Sequence, residues 1–291
     1  MKRIVIFGGS GFIGKSLLEK LLDKKFNVIV SKNKNKIKEN IKVFDANLLD
    51  INSFESKIKN NDIIINLAGQ FKGDFSNFID LNIKGGLNLL EACKKKKGVR
   101  IILISSISVY GENKGKASKE NQETNPSNRY GITKYLTENL YQKYSKNFGI
   151  KITILRLSNI YGINKKNGLI LNIINSIKNN KIVTINHSGN QERDYLYIDD
   201  AINGIIKTIQ NPQKDFQIFN ISSGNGIKTK TVIKIIEKLS NKKIRKKIIK
   251  DITDEKSIYA NNMKAKKNLS FVPKISLEKG LENILRDLEH H

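Results

Sequence analysis

Short apolar runs alternating with amphipathic stretches organise the first half of the chain. Ile4 to Phe7 is wholly apolar, and Ile63–Leu67 and Ile101–Ile104 are nearly or wholly so. Runs of this kind, bounded by turn residues, are expected as strands buried on both faces of a parallel sheet. Further strands are expected at 27–30, 43–44, 62–67, 99–105 and 151–157. Between them, Ile13, Leu17, Leu18 and Leu21 share one helical face and predict a helix over 13–22. Helices are also expected over 81–96 and 129–148, with a weak one over 51–58. Strand and helix in alternation predict an α/β fold with a doubly wound parallel sheet. After residue 160 the pattern loosens into helices at 168–179, 198–209 and 229–239, a strand at 182–185, and a strand at 216–221 expected to rejoin the sheet. The polar stretch Asn113 to Asn128 is the one long loop, placed where it could face a substrate.

Composition narrows the possibilities. The chain has 291 residues, enough for one large domain or two interlocked lobes, and a formal net charge of +26. Lys, Asn and Ile are enriched throughout, and the densest basic run, Lys94 to Lys97, ends a predicted helix just before Gly98. That is ordinary capping chemistry, so a solvated basic surface is expected and a nucleic-acid partner is not. No apolar stretch reaches the length of a membrane span, and Met-Lys-Arg-Ile runs into glycines where an export signal would continue apolar. The single Cys93 allows no internal disulfide and suits a reducing cytoplasm. No metal-ligand spacing occurs. Leu288-Glu289-His290-His291 resemble the remnant of a purification tag, which leaves His187 as the one other histidine.

Candidate chemistry begins at Gly8-Gly9-Ser10-Gly11-Phe12-Ile13-Gly14, between a predicted strand and a predicted helix. Glycines there allow a tight turn and a close backbone approach to a pyrophosphate, and the helix N-terminus supplies free N–H groups. This is a Rossmann-type dinucleotide site with Gly8, Gly11, Phe12, Ile13 and Gly14 at the cofactor. The second strand ends in Ser31-Lys32-Asn33-Lys34, where an NAD site wants a carboxylate for the ribose hydroxyls. The missing acid, with Lys32 in its place, favours NADP(H) over NAD(H). Downstream, Tyr130 and Lys134 lie one helical turn apart on a shared face. A neighbouring ammonium lowers a phenol's pKa and makes it a usable acid-base group. Ser106 closes a strand at the sheet end where α/β proteins bind ligands, and can hold a reacting oxygen.

The chain resembles the extended short-chain dehydrogenases/reductases, in their nucleotide-sugar epimerase/dehydratase/reductase branch. Besides the segments above, the resemblance is carried by Asn66-Leu67-Ala68-Gly69, Asn82-Ile83-Lys84-Gly85, Ser105 to Gly111, Tyr130 to Lys134, Leu155 to Gly162, Arg193-Asp194-Tyr195 and Phe271-Val272-Pro273. It implies Ser106, Tyr130 and Lys134 as catalytic residues, and Leu67, Ala68, Gly69 and Asn82 along the cofactor together with Tyr130 and Lys134. It implies Asn47, with Leu48, near the adenine, and Asn159 and Arg193 on a substrate diphosphate beside Ser106. It also implies a dinucleotide-binding domain over 1–160, a mainly substrate-binding lobe over 161–287, and a homodimer through the helices at 81–96 and 129–148.

Departures from the branch select among its chemistries. Its 4,6-dehydratases carry Asp-Glu after the catalytic hydroxyl residue, and its decarboxylases a Glu nearby, where this chain has Ile107-Ser108. The Cys and His of the epimerase-reductases are also missing. A second diphosphate arginine is lacking around 251–256, with Lys250 the available substitute. What remains is chemistry needing only hydride and a phenol. With Lys32 pointing to NADPH, the expectation is a cytoplasmic NADPH-dependent reductase of a 4-keto nucleotide sugar, of the 6-deoxyhexose type. The alternatives are a UDP-hexose 4-epimerase with bound NAD and a non-catalytic dinucleotide sensor or nucleic-acid-binding relative.

Overall fold

The computed structural model describes residues 2–32, 41–69, 74–113, 115–186, 189–211, 214–249 and 257–289. The expectations placed on Asn33, Lys34, His187, Lys250 and 251–256 lie outside these. In chain order come β1 (Ile4–Phe7), α1 (Phe12–Asp23), β2 (Val28–Lys32), β3 (Lys42–Asp45), β4 (Ile63–Asn66), α2 (Phe75–Phe78), α3 (Gly85–Lys94), β5 (Arg100–Ser106), α4 (Arg129–Phe148) and β6 (Lys151–Leu157). There follow β7 (Asn159–Tyr161), α5 (Leu169–Lys178), β8 (Val183–Asn186), β9 (Glu192–Arg193), β10 (Tyr195–Tyr197), α6 (Ile198–Gln210) and β11 (Phe216–Ile221). The chain ends with β12 (Ile227–Lys228), α7 (Thr229–Ser240), β13 (Lys246–Ile249), α8 (Met263–Leu269) and α9 (Leu277–Glu289).

Seven strands form one sheet in the order β11-β6-β5-β4-β1-β2-β3, with every neighbouring pair parallel. This is the Rossmann-type α/β fold expected from the alternation of runs. Successive strand residues point to opposite faces, and the two faces are packed by separate cores. Ile4, Ile6, Ile63, Ile65, Ile102 and Ile104 join α1 and α6 on one side, through Leu17, Leu21, Ile202 and Ile205. Val5, Phe7, Ile64, Ile101 and Leu103 pack on the other against Leu89, Leu90 and Tyr141 of α3 and α4. Burial on both faces is why these strands read as unbroken apolar runs. The chain leaves β1 for β2 and β3 on one side and returns to β4 on the other. That reversal opens a crevice beyond the carboxyl ends of β1 and β4.

Three departures have local causes. The segment expected as a weak helix over 51–58 is two 3-10 turns, Ile51–Ser53 and Glu55–Lys57, separated by the fully buried Phe54. The helix expected from 81 begins earlier, as α2, and runs through a π turn (Ile79–Lys84) into α3. The wider turn shifts the helical phase and puts the polar Asn82 inside, which no regular apolar period announces. Finally, Leu288 packs against the larger core together with Leu281 and Ile284 of α9, so the terminal residues set apart in sequence include one that the fold uses. In the basic run, Lys94 pairs with Glu91 at 2.5 Å and Lys95 with Glu55 at 2.9 Å. Among the described residues no helix is long and apolar enough to cross a membrane.

Candidate active site

The turn after β1 is built on close approach. Gly8 has φ +85°, and a Cβ there would lie 2.6 Å from the Ala68 nitrogen, so the turn is laid directly on the segment leaving β4. Gly11 N–H donates to the Gly8 carbonyl at 3.2 Å, and α1 starts at Phe12 with Gly11 as its N-cap. No side chain caps this helix and no acid stands in its first turn. The first-turn N–H groups of Phe12, Ile13 and Gly14 therefore form a cradle suited to phosphate oxygens, against a glycine surface that any side chain would fill. The donor set fits a dinucleotide pyrophosphate.

Leu67 and Ala68, at the exit of β4, lie against the glycine turn. Leu67 N–H donates to Phe7 O at 2.9 Å, and Ala68 N–H to the Asn66 side chain at 3.1 Å. A Cβ on Gly69 would meet both Asn82 Oδ1 and Lys134 Nζ at 3.1 Å, which brings these three residues to one spot. Lys32 ends β2, in register with Asp45 of β3. Asn47 uses its side-chain oxygen to hold Leu49 N–H at 3.1 Å, while Leu48 is buried against Gly85.

Ser106, Tyr130 and Lys134 converge where β5 meets α4. Asn128 caps α4 by accepting from Gly131 N–H at 2.8 Å. A Cβ on Gly131 would lie 2.6 Å from the Ser108 carbonyl, so only glycine lets the helix start this close to the Ser106–Ser108 turn. The result brings the Tyr130 phenol near enough to the Ser106 side chain for Ser106 to act on its ionisation. Ser106 Oγ also accepts from Ser108 N–H at 3.2 Å and Ser108 Oγ at 2.9 Å. Lys134 is buried; its Nζ donates to the Ile104 carbonyl at 2.9 Å and lies 5.9 Å from the Tyr130 ring centroid.

One electrostatic expectation is reversed. The sequence predicts a phenol pKa lowered by Lys134, but burial pushes Tyr130 up to about 12, with the Ser106 hydrogen bond pulling the other way. Burial also lowers Lys134 to about 8, partly offset by the Glu138 carboxylate. Lys134 spends its bond on a backbone carbonyl and sits beside the ring, so desolvation dominates both groups.

Arg193 and Asn159 are brought together at the rim of a second space. β7 and β10 pair in parallel, and Asn159 Nδ2 donates to the Asp194 carbonyl at 3.2 Å. The Asp194 carboxylate is fully buried and accepts from Ser223 N–H at 2.8 Å and Gly224 N–H at 3.1 Å. A cavity of about 210 Å³ is lined by Asn159, Tyr161, Lys165, Gln191, Arg193 and Tyr195, among others. None of its described lining residues is acidic and two are cations, which fits an anionic ligand. Lys165 is the member that sequence reasoning missed. Its ammonium donates to the Ile160 carbonyl and lies 5.6 Å from the Phe12 ring, linking this cavity to the glycine turn, and burial lowers its pKa.

The NAD dependent epimerase/dehydratase family model matches residues 4–222. The chain belongs to that family. It is an enzyme of the extended short-chain dehydrogenase/reductase type. Over 97% of its length it is 32% identical to an uncharacterized UDP-glucose epimerase of Bacillus subtilis, covering 96% of that protein. The structure superposes on a UDP-glucuronic acid 4-epimerase of Bacillus cereus in complex with UDP-glucuronic acid and NAD, with TM-score 0.88, 28% identity and 99% of each chain covered. It also superposes on a UDP-glucose 4-epimerase of Thermotoga maritima with UDP-glucose, with TM-score 0.89, 27% identity and 99% of each chain covered. These likenesses do not support the NADP(H) preference read from Lys32. They fit the 4-epimerase alternative better than 4-keto reduction.

Proposed function

We propose that the protein is a UDP-sugar 4-epimerase that retains NAD. The observation that carries this reading is the site itself. Ser106, Tyr130 and Lys134 meet beside the glycine turn, and the position that would hold an elimination acid-base pair is filled by the buried Ile107 and by Ser108, which only bonds Ser106. Such a site can move one proton and hold one oxygen. Among the described residues, no acid stands at that position to expel water.

In this reading Gly8, Gly11, Phe12, Ile13 and Gly14 hold the pyrophosphate. Lys32, Asn47, Leu48, Leu67, Ala68, Gly69 and Asn82 border the rest of the dinucleotide. When bound, NAD supplies the reversible hydride acceptor for the sugar C4 and a positive charge near the phenol. Tyr130 takes the proton from the C4 hydroxyl and returns it after the sugar has turned over its face. Ser106 fixes the C4 oxygen, and Lys134 favours the phenolate. Residues 161–287 supply mainly the substrate side, with Asn159, Arg193 and Lys165 toward the diphosphate. A homodimer through the helices at 81–96 and 129–148 belongs to the same reading, and α2, the π turn and α4 expose Phe75, Ile79, Leu136 and Phe148 individually.

The deciding experiment denatures the purified protein, identifies the released nucleotide, and follows UDP-galactose and UDP-glucuronate by NMR. NAD in near-stoichiometric amount with appearance of the C4 epimer is the expected result. An empty protein that instead consumes NADPH with a 4-keto nucleotide sugar would restore the reductase reading favoured by Lys32.

The cavity makes a separate prediction. Charge-assisted bonds to phosphate contribute about 1.5–3 kcal/mol each, so Arg193→Gln and Lys165→Gln should each weaken UDP binding about 10- to 100-fold. Uridine should bind both variants as it binds the wild type. Calorimetric titration with UDP and uridine checks this, and equal losses for the two ligands would show that these residues shape the pocket without touching phosphate.

A further inference from the structure

The last three residues of β5 are each held by a different residue of α4, at four-residue spacing. The Ile104 carbonyl accepts from Lys134 Nζ at 2.9 Å, Ser106 meets the Tyr130 phenol, and Ser105 Oγ donates to Glu138 Oε1 at 2.5 Å. Residues 130, 134 and 138 thus form one ladder along the helix. The chemistry proposed above uses the first two rungs and leaves Glu138 without a task.

Glu138 is 4% exposed, as is Arg156, which grips it. Arg156 Nε lies 3.1 Å from both carboxylate oxygens and Nη2 lies 2.6 Å from Oε2. The guanidinium is stacked 4.7 Å from the Tyr110 ring centroid. Tyr110 Oη donates to Asn220 Oδ1 at 2.7 Å, and Asn220 Nδ2 donates to the Ser118 and Asn261 carbonyls at 3.0 Å each. The carboxylate is therefore anchored from behind, through β6, to the long loop and β11. Stability alone is a weak reason for such an arrangement, because an apolar pair of similar volume commonly serves a core as well.

Two consequences follow from where the carboxylate sits. Ser105 precedes Ser106, so clamping its hydroxyl fixes the peptide that carries the Ser106 Oγ. The other groups around Lys134 Nζ are neutral: the Ile104 carbonyl from β5, Gly69 after β4, Asn82 from the π turn and the Tyr130 ring from α4. Among the described residues Glu138 supplies the one charge that offsets burial of the ammonium, and Arg156 pairs with the Glu138 Oε2 at 2.6 Å. We propose that Glu138 is a positioning residue of this active site, acting through Ser105 on Ser106 and through its charge on Lys134. The proposal rests on the roles given above to Ser106 and Lys134.

The test compares Glu138→Gln, Ser105→Ala and the double variant E138Q/R156M as purified proteins. The double variant is included because E138Q leaves Arg156 buried without its partner and can fail to fold. Two readouts are followed: the pH profile of kcat with the UDP-sugar, and the titration of Lys134 by NMR of 13C-labelled lysine, assigned with a Lys134→Arg control. In E138Q and in the double variant, the Lys134 midpoint should fall by about one pH unit, the low end of what a near opposite charge does. The alkaline limb of kcat should move with it. Ser105→Ala should leave the midpoint in place and lower kcat about tenfold with little change in KM, the scale of a lost orienting bond. An unmoved midpoint in both folded Glu138 variants, or wild-type kcat in Ser105→Ala, overturns the proposal. If the wild type epimerises no UDP-sugar, the functional reading fails on its own, and the Lys134 titration still decides the effect of the Glu138 charge.

Discussion

Replacing Tyr130 with Phe is expected to lower kcat about a thousandfold while leaving the nucleotide content of the purified protein unchanged. Positioned acid-base groups contribute roughly 10²–10⁴ to a rate. At the two positions after Ser106 no proton carrier stands ready to take over, because Ile107 is apolar and the Ser108 hydroxyl is spent on Ser106. The phenylalanine ring keeps the packing at the start of α4, and the cap from Asn128 to Gly131 is untouched, so folding should survive. KM for the UDP-sugar should change little, since Arg193, Lys165 and Asn159 lie at a separate cavity that Tyr130 does not line. Progress curves with UDP-galactose, with released nucleotide quantified on the same preparation, check the prediction. A residual rate within tenfold of the wild type would mean that another group carries the proton, and Ser106 would be the first to examine.

What could be read from residues alone divides along physical lines. The sheet was legible because strands packed on both faces have nowhere to put a polar side chain, so Ile4–Phe7 and Ile101–Ile104 carry an unmistakable signature. The meeting of Ser106, Tyr130 and Lys134 was legible because each part of the candidate site sits at a marked structural place. Glycines follow the first strand, Ser106 closes another, and a Tyr-Lys pair is spaced one turn apart at the head of a helix. Lys165 was invisible for the opposite reason, since one lysine among 53 Lys and Arg residues carries no signal until burial singles it out. The same excess blunts the signal at Lys32, whose reading as a 2′-phosphate partner the likeness to an epimerase in complex with NAD does not support. Glu138 was hidden as well, because its partners Ser105 and Arg156 come from neighbouring strands and only the parallel register of β5 and β6 brings them together. Short strands such as β9 and β12, two residues each, are too brief to express any period.

The second large effect separates stability from activity at Lys134. Its ammonium is buried, and its pKa is lowered from 10.5 to about 8. The unfolded chain therefore binds the proton more tightly than the folded one. Below pH 8 both forms are protonated and the folded state bears the whole cost of the buried charge. Between pH 8 and 10.5 that cost fades as the folded form loses its proton first, and above 10.5 it is gone. At 1.36 kcal/mol for each tenfold change in proton affinity, the cost at pH 7 is about 3 kcal/mol. Lys134→Met keeps the aliphatic stem and gives up the bond to the Ile104 carbonyl, a loss of about 1 kcal/mol. The variant is thus expected to be about 2 kcal/mol more stable than the wild type at pH 7, and about 1 kcal/mol less stable near pH 11, where only the lost bond counts. Its kcat should fall at least a hundredfold, because the ammonium next to the Tyr130 ring is lost and the Ser106 hydroxyl, which is neutral, favours the phenolate less than a charge does. Urea denaturation across that pH range measures the difference directly. A variant less stable than the wild type at pH 7, by an amount that does not change with pH, would show that the ammonium is not desolvated and that its charge is held by a partner on which the fold depends.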